Sequence, residues 1–193
     1  MAIVVVGGST KDIGKTSLVC GIISALRDFN WTAVKITGHS YASHSTASNA
    51  ETAREIVREE TTAGQATDTA RYLAAGACRA LLVTRYQEEV PIEEIRQALG
   101  NDRNILFESN RIIDVLRPDV CIALIGNGAQ ELKPSFMRFI QSADALVTFS
   151  AQAQIPDARA GIPVFMQQAA DQMSPELASW LRARLQAPAT QSS

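Results

Sequence analysis

The sequence lacks the features that mark several large classes of protein. Only 6% of its 193 residues are aromatic, two are histidine and three are cysteine. There is no long basic run and the formal net charge is -2, which argues against a nucleic-acid partner. The apolar runs have the length of strands, well short of the roughly 20 residues that cross a membrane. We therefore expect neither nucleic acid nor a membrane as a partner.

Cysteine usage and the first residues bear on the cellular compartment. Cys20, Cys78 and Cys121 form no Cys-x-x-Cys pair and all stand in apolar contexts. This favours three small buried side chains over a metal or redox site, and it fits a reducing compartment. No basic region precedes the first apolar run, so we expect no signal peptide and a cytoplasmic location.

Apolar runs alternate with helical patterns along the chain, which is typical of an α/β fold with a mostly parallel sheet covered by helices. The length suits one domain, residues 1–186, followed by a disordered tail at 187–193. The predicted strands are Ala2–Gly7, Trp31–Thr37, Ala80–Thr84, Asn104–Phe107, Val120–Ile125, Ala145–Thr148 and Ile162–Phe165. The predicted helices are Lys15–Phe29, Asp68–Cys78, Ile92–Leu99, Pro134–Ser142 and Pro175–Leu185, the last with Ser174 as N-cap. Segment 51–62 fits either a charged helix or a strand.

The main motif lies between the first strand and the first helix. There, a turn can wrap backbone N–H groups and the positive end of a helix dipole around phosphate oxygens. Lys15 can reach between the β- and γ-phosphates of a nucleotide, and the Thr16 hydroxyl can ligate Mg²⁺. The usual phosphate-binding pattern has a glycine five positions before the glycine of Gly-Lys-Thr, which here is Gly14. That position is Ser9 in this chain, and the nearest glycine, Gly8, stands one residue earlier. The candidate nucleotide-binding residues are Gly8, Ser9, Thr10, Lys11, Asp12, Ile13, Gly14, Lys15, Thr16 and Ser17. The alternative is a glycine-rich turn without a ligand.

In spacing, this turn resembles the phosphate loop of dethiobiotin synthetase, Gly-Thr-Asp-Thr-x-x-Gly-Lys-Thr. The next strand, Val34-Lys35-Ile36-Thr37-Gly38, resembles that family's Lys-Pro-Val-x-(Ser/Thr)-Gly segment, shortened by one residue. The resemblance implies that Lys35 points at the reacting phosphate and substrate. Otherwise Lys35 is a surface lysine whose stem lies along the apolar sheet.

The middle of the chain resembles the molybdopterin-guanine dinucleotide biosynthesis protein B family. Asp68-Thr-Ala-Arg-Tyr-Leu-Ala-Ala-Gly-Ala77 is similar to its Asp-Ser-x-Arg-x-x-x-Ala-Gly-Ala segment, and Asn104–Glu108 to its strand ending in Glu-Gly, with Ser109 in place of the glycine. The resemblance covers about residues 2–125. It implies a three-layer, Rossmann-like P-loop NTPase fold, with GTP favoured over ATP by analogy. No Asn-Lys-x-Asp segment is present, so the base stays open between ATP and GTP.

Three side chains with oxygen atoms are candidate Mg²⁺ ligands, directly or through water: Thr16, Asp68 and Glu108. Glu108 follows an apolar strand, at the edge where open α/β sheets bind ligands; otherwise it is a solvated charge. Asp68 can also act as an N-cap. With Lys15 and Lys35, Glu108 completes the candidate catalytic set.

Other polar residues have weaker interpretations. Arg71 either supports an anion or pairs with a carboxylate such as Glu60. His39 and His44 stand in a Ser-rich loop without further ligands, which favours exposed or substrate-loop histidines over a metal pair. The long 38–67 connection is predicted to be a lid or switch that orders around nucleotide.

Three functions remain open. The first is a nucleotide-binding accessory protein with slow Mg²⁺-dependent hydrolysis, acting with a molybdenum-cofactor transferase. The second is an ATP-dependent ligase of the dethiobiotin synthetase type that phosphorylates a carboxylate or carbamate. The third is a regulatory module that binds nucleotide without turnover. The resemblance also implies a homodimer.

Overall fold

The computed structural model describes residues 1–38, 56–85, 89–126, 132–151, 153, 161–168 and 172–187. The predictions for His39 and His44, for most of the lid segment and for the tail after Ala187 lie outside these residues. Among the described helices, none combines the length and the hydropathy that a membrane crossing requires.

The described strands form one sheet of eight strands in the order β3-β4-β2-β5-β1-β6-β7-β8. All neighbours are parallel except β3, which pairs antiparallel with β4. The strands are β1 Ala2–Gly8, β2 Thr32–Thr37, β3 Val57–Glu59, β4 Arg79–Thr84, β5 Asn104–Glu108, β6 Val120–Ile125, β7 Ala145–Thr148 and β8 Val164–Met166. The predicted mostly parallel sheet is thereby confirmed.

Helices cover both faces of the sheet. They are α1 Lys15–Ala25, α2 Asp68–Ala75, α3 Ile92–Leu99, α4 Pro134–Gln141 and α5 Pro175–Gln186. Strand β1 is buried throughout, and its side chains alternate between the two layers of the core. Val5 belongs to the apolar cluster that contains α3 and α4, whereas Val4 and Val6 belong to the cluster beneath α1, α2 and α5. The three-layer α/β architecture follows from this alternation.

Some local predictions need correction. Helix α1 ends at Ala25 rather than at Phe29, and a short 3-10 turn, Arg27–Phe29, follows it before Asn30 adopts a left-handed conformation with φ of 54°. The ambiguous segment contains the edge strand β3. The Ser174 N-cap is confirmed, because its hydroxyl oxygen accepts a hydrogen bond from the Leu177 N–H at 3.3 Å.

The prediction of three buried cysteines is also wrong in part. Cys121 is buried, Cys20 is half-buried and Cys78 is exposed. None of the three, all of which the structure describes, forms a disulfide.

The register of the sheet brings the ends of three strands together. Glu108, the last residue of β5, is the Cα partner of Val6 on β1 and of Lys35 on β2. Because these strands are parallel, the loop that follows β1 lies at the same end of the sheet as Lys35 and Glu108. This edge of the sheet, formed by the carboxyl ends of the parallel strands, contains the candidate site.

Candidate functional site

The loop between β1 and α1 is held at its first residues by two neighbouring segments. The Gly8 N–H donates to Oδ1 of Asn110 at 2.8 Å, and Nδ2 of Asn110 donates to the Gly8 carbonyl at 3.0 Å. The Ser9 N–H donates to the Leu124 carbonyl at 3.0 Å, and the Ser9 hydroxyl oxygen accepts from the Gly126 N–H at 3.2 Å. The chain that follows β5 and the end of β6 therefore fix where the loop begins.

The packing explains why glycine stands at position 8. A Cβ on Gly8 would lie 2.8 Å from Cδ of Lys15 and 2.9 Å from Cγ2 of Ile13, so a side chain at this position would displace them. Ser9, where the usual pattern has glycine, is buried and uses its hydroxyl to hold Gly126. Two later residues have positive φ: Asp12 at 57° and Gly14 at 100°. They turn the chain into α1, and Asp is one of the few residue types that tolerate this conformation.

Lys15, the first residue of α1, bends back over the loop. Its ammonium group donates to the Thr10 carbonyl at 3.0 Å. Burial lowers the pKa of Lys15 and nearby Lys35 also lowers it, whereas Glu108 acts in the opposite direction. The group thus lies at the N-terminus of α1, where an anion would meet both an ammonium and the helix dipole.

Glu108 is the centre of the hydrogen-bond network at this edge, and it is only 5% exposed. Its Oε2 accepts hydrogen bonds from the Thr16 hydroxyl, at 2.8 Å, and from the Tyr72 hydroxyl. Its Oε1 accepts the Lys35 ammonium at 3.1 Å. A buried carboxylate is stable only when it is paired and hydrogen-bonded, and Glu108 satisfies both conditions.

Lys35 links Glu108 to Asp68. Its ammonium forms an ion pair with Oδ2 of Asp68, and the two side chains are 19% and 30% exposed. Burial lowers the pKa of Lys35, but Glu108 and the hydrogen bond to Asp68 outweigh burial, so the pKa is raised overall. Lys35 is therefore a positively charged group between two carboxylates, and not a surface lysine.

The start of α2 contradicts two alternatives considered from the sequence, that Asp68 is the N-cap and that Arg71 pairs with Glu60. Thr67 is the N-cap, since its hydroxyl oxygen accepts from the Ala70 N–H at 3.0 Å, and Asp68 is the first helical residue. Arg71 does not pair with Glu60. It donates to Oγ of Ser17 at 3.0 Å and lies 3.9 Å from Oδ1 of Asp68.

The oxygen atoms at this edge fit a magnesium ion. Thr16, Asp68 and Glu108 supply a hydroxyl and two carboxylates, the hard donors that Mg²⁺ takes in small number while keeping several waters. No group of three or more His, Cys, Asp or Glu side chains in the described part of the chain forms a metal site by itself. The fit therefore depends on water and phosphate oxygens completing the ligand set.

The five residues that the sequence predicts for one site lie together in the structure: Lys15, Thr16, Lys35, Asp68 and Glu108. Lys11 and Asp12, in contrast, have exposed side chains. Two other contributors were missed. Tyr72 could have been noticed as the residue one helical turn after Asp68, on the same face of α2. Asn110 has no local signal, because its contact with Gly8 spans 102 residues.

The fold and this loop define the class. A central parallel sheet whose first strand leads through a glycine-bearing loop into a helix beginning Lys-Thr, with an acidic residue on the adjacent strand, is a P-loop NTPase fold.

No protein-family model matches the sequence, and no curated protein matches it. Among solved structures, LpxK from Aquifex aeolicus, in its "apo" form in complex with ATP, has a TM-score of 0.50 and 19% identity over 85% of this chain. The chain spans 53% of LpxK. MobB from Bacillus subtilis has a TM-score of 0.49 and 16% identity, covering 97% of this chain and 100% of MobB. A MobB homolog from Bacillus stearothermophilus has a TM-score of 0.49 and 15% identity, covering 96% and 98%. At such identities the likeness to LpxK concerns the fold alone, and it agrees with the P-loop NTPase fold predicted from the sequence.

Proposed function

We propose that this chain binds a nucleoside triphosphate with Mg²⁺ at the loop formed by residues 8–17. The observation that supports this most directly is the Thr16–Glu108 hydrogen bond at the N-terminus of α1, with the Lys15 ammonium close enough to Glu108 for an electrostatic interaction. An N-terminal helical turn attracts phosphate, and a threonine hydroxyl held by a carboxylate presents its free lone pair to a cation. The helix N-terminus and Lys15 would therefore bind the phosphates, and the Thr16 hydroxyl would bind the magnesium ion.

Each site residue has a role in this proposal. Lys15 contacts the β- and γ-phosphates, while the backbone N–H groups of residues 10–16 surround them. Thr16, Asp68 and Glu108 hold the ion directly or through water, and Glu108 also orients the Thr16 hydroxyl. When bound, Mg²⁺ would neutralise phosphate charge that develops during phosphoryl transfer. In this proposal Lys35, which lies between Asp68 and Glu108, contacts the terminal phosphate or a second substrate.

For the biological role we propose an accessory protein of molybdenum-cofactor biosynthesis, with GTP or ATP as ligand and slow hydrolysis. The support is the sequence resemblance over Asp68–Ala77 and Asn104–Glu108. As part of this proposal, the chain forms a homodimer and binds a molybdenum-cofactor transferase.

One observation favours the ligase alternative. The support is that Lys35 is half-buried and contacts both Asp68 and Glu108, so its ammonium group lies beside the proposed phosphate site. The two roles differ in turnover. A ligase should hydrolyse ATP much faster once a small amine or acid substrate is added, whereas an accessory protein should keep slow turnover and bind a transferase.

The binding proposal is tested by thermal unfolding with ATP, GTP, ADP and GDP, each with and without Mg²⁺. A ligand that binds only the native state at 100 times its dissociation constant stabilises it by about 2.7 kcal/mol, which raises the melting temperature by several degrees. We expect at least one triphosphate to do so with Mg²⁺, and Lys15→Ala to abolish the shift. If no nucleotide stabilises the wild-type chain, or if Lys15→Ala responds like the wild type, the proposal is wrong.

A further inference from the structure

Tyr72 is a buried polar residue for which the proposed function has so far no use. It lies on α2, its exposed fraction is 0%, and its ring packs in the apolar cluster beneath α1 with residues such as Leu18 and Ile22. Its hydroxyl donates to Oε2 of Glu108. A phenol so deep in the core cannot touch a nucleotide, so any contribution to the site must act through Glu108.

The geometry around Glu108 shows what that contribution is. The Thr16 and Tyr72 hydroxyls both donate to Oε2, whereas Lys35 donates to Oε1. These donors come from α1, α2 and β2. Without Tyr72, Oε2 would keep only Thr16, and the carboxylate could rotate toward the Lys35 ammonium. Tyr72 is therefore the contact that opposes the pull of Lys35 and keeps Oε2 on Thr16.

Helix α2 carries a second residue of the site. Asp68 and Tyr72 are four residues apart, so they lie on the same face of α2, and both contact the Lys35–Glu108 pair. The position of α2 therefore determines where the carboxylates of Asp68 and Glu108 lie relative to Thr16.

We propose that Tyr72 is a positioning residue, which holds Glu108 against the Thr16 hydroxyl and so sets the affinity of the site for divalent cations. The inference rests on the proposed magnesium-nucleotide function and adds a residue to it. Groups that orient metal-binding residues from outside the ligand set commonly change metal affinity by 10- to 100-fold when they are removed.

The test compares Tyr72→Phe with the wild type and with Ile23→Val. Phenylalanine keeps the ring in the core and removes only the hydroxyl. Ile23→Val removes one methyl group from the same apolar cluster, which makes it a control for a small loss of packing. Mn²⁺ binding is followed by electron paramagnetic resonance, alone and with the β,γ-imido analogues of ATP and GTP, and analogue binding is measured separately in EDTA.

We expect Tyr72→Phe to weaken Mn²⁺ binding about tenfold and to change analogue binding in EDTA less than twofold. Ile23→Val should leave both unchanged. Equal Mn²⁺ affinity in Tyr72→Phe and wild type would overturn this inference and leave the nucleotide proposal standing. A wild-type chain that binds the cation neither alone nor with nucleotide would overturn both.

A measurement on the intact residue covers the case in which Tyr72→Phe does not fold. The chain has three tyrosines, so Tyr41→Phe with Tyr86→Phe leaves Tyr72 as its single tyrosine. With 3-fluorotyrosine at that position, Mg²⁺ and the analogue should shift the fluorine resonance of the buried ring. An unshifted resonance in a protein that binds the analogue would show that Tyr72 does not sense the site.

Discussion

The two ends of the parallel sheet each carry a cluster of charged residues, and the surroundings of the clusters differ. At the amino ends of the strands, Arg79 binds Glu59 through two hydrogen bonds of 2.9 and 2.8 Å and Asp102 through one of 2.6 Å. Thr32 also donates to Asp102 at 2.8 Å. These side chains are 24–46% exposed in the ion pairs of Arg79, and they attach the edge strand β3 and the start of β5 to β4.

At the carboxyl ends, Lys35, Asp68 and Glu108 form a cluster of the same size around one cation. Here the central carboxylate is 5% exposed, two hydroxyl groups are drawn into it, and the phosphate loop lies beside it. An ion-pair cluster by itself therefore does not indicate function. What distinguishes the carboxyl end is a buried charge next to a helix N-terminus that has no side-chain cap.

The largest expected effect separates the two clusters by stability. Lys35→Met should lower the free energy of unfolding by about 3 kcal/mol, because it removes the only cation among the described residues that is hydrogen-bonded to the buried Glu108. Arg79→Met should cost only about 1 kcal/mol, because solvent can take over the exposed carboxylates of Glu59 and Asp102. Urea unfolding of both variants measures the difference. Equal losses would show that burial of Glu108 does not set the two ends apart.

A smaller effect concerns the loop itself. Gly8→Ala should weaken nucleotide affinity about tenfold, or ~1.4 kcal/mol, because the new methyl group meets the stem of Lys15 and displaces its ammonium. Gly64→Ala is the matched control, since nothing lies within 4 Å of a Cβ at that position. Isothermal titration with the best-stabilising nucleotide compares them. Wild-type affinity in Gly8→Ala would mean that the packing of Gly8 against Lys15 is irrelevant to binding.

The smallest effect is a difference in thiol reactivity. Burial raises the pKa of Cys20 to about 11, with Arg71 acting against it and Glu108 adding to it, so its thiol stays protonated at pH 8. Cys78 is exposed, and Cys121 is buried. A disulfide reagent at pH 8 should therefore modify one thiol per native chain quickly, and Cys78→Ser should remove that fast phase. A fast phase that survives Cys78→Ser would show that Cys20 or Cys121 is more accessible than its burial indicates.

Strand positions were largely predictable from the sequence. Val120–Ile125 and Ala145–Thr148 occur with the predicted bounds, because continuous apolar runs of strand length are buried on both faces of a parallel sheet. The end of α1 was not predictable, because nothing in the sequence Lys15–Phe29 marks Leu26 as the point where the helix stops. The edge strand β3 was ambiguous for a similar reason: it is short, charged and half-exposed.

The candidate site also contains residues that the local sequence predicts and residues that it does not. Lys15 and Thr16 follow from local order, because a strand, a turn and a helix in succession place them at a helix N-terminus. The roles of Tyr72 and Asn110 do not, since each depends on a partner far away in the chain, Glu108 for the one and Gly8 for the other.

The sequence by itself determined the α/β class, the place of the phosphate loop and the identity of the charged residues around it. These follow from the periodicity of apolar residues and from the special chemistry of glycine, lysine and threonine within a few positions. The tertiary structure alone decided that β5 lies between β1 and β2, and so brought Glu108 against both Thr16 and Lys35. Register and strand order arise from contacts between distant segments, which no local pattern of residues encodes.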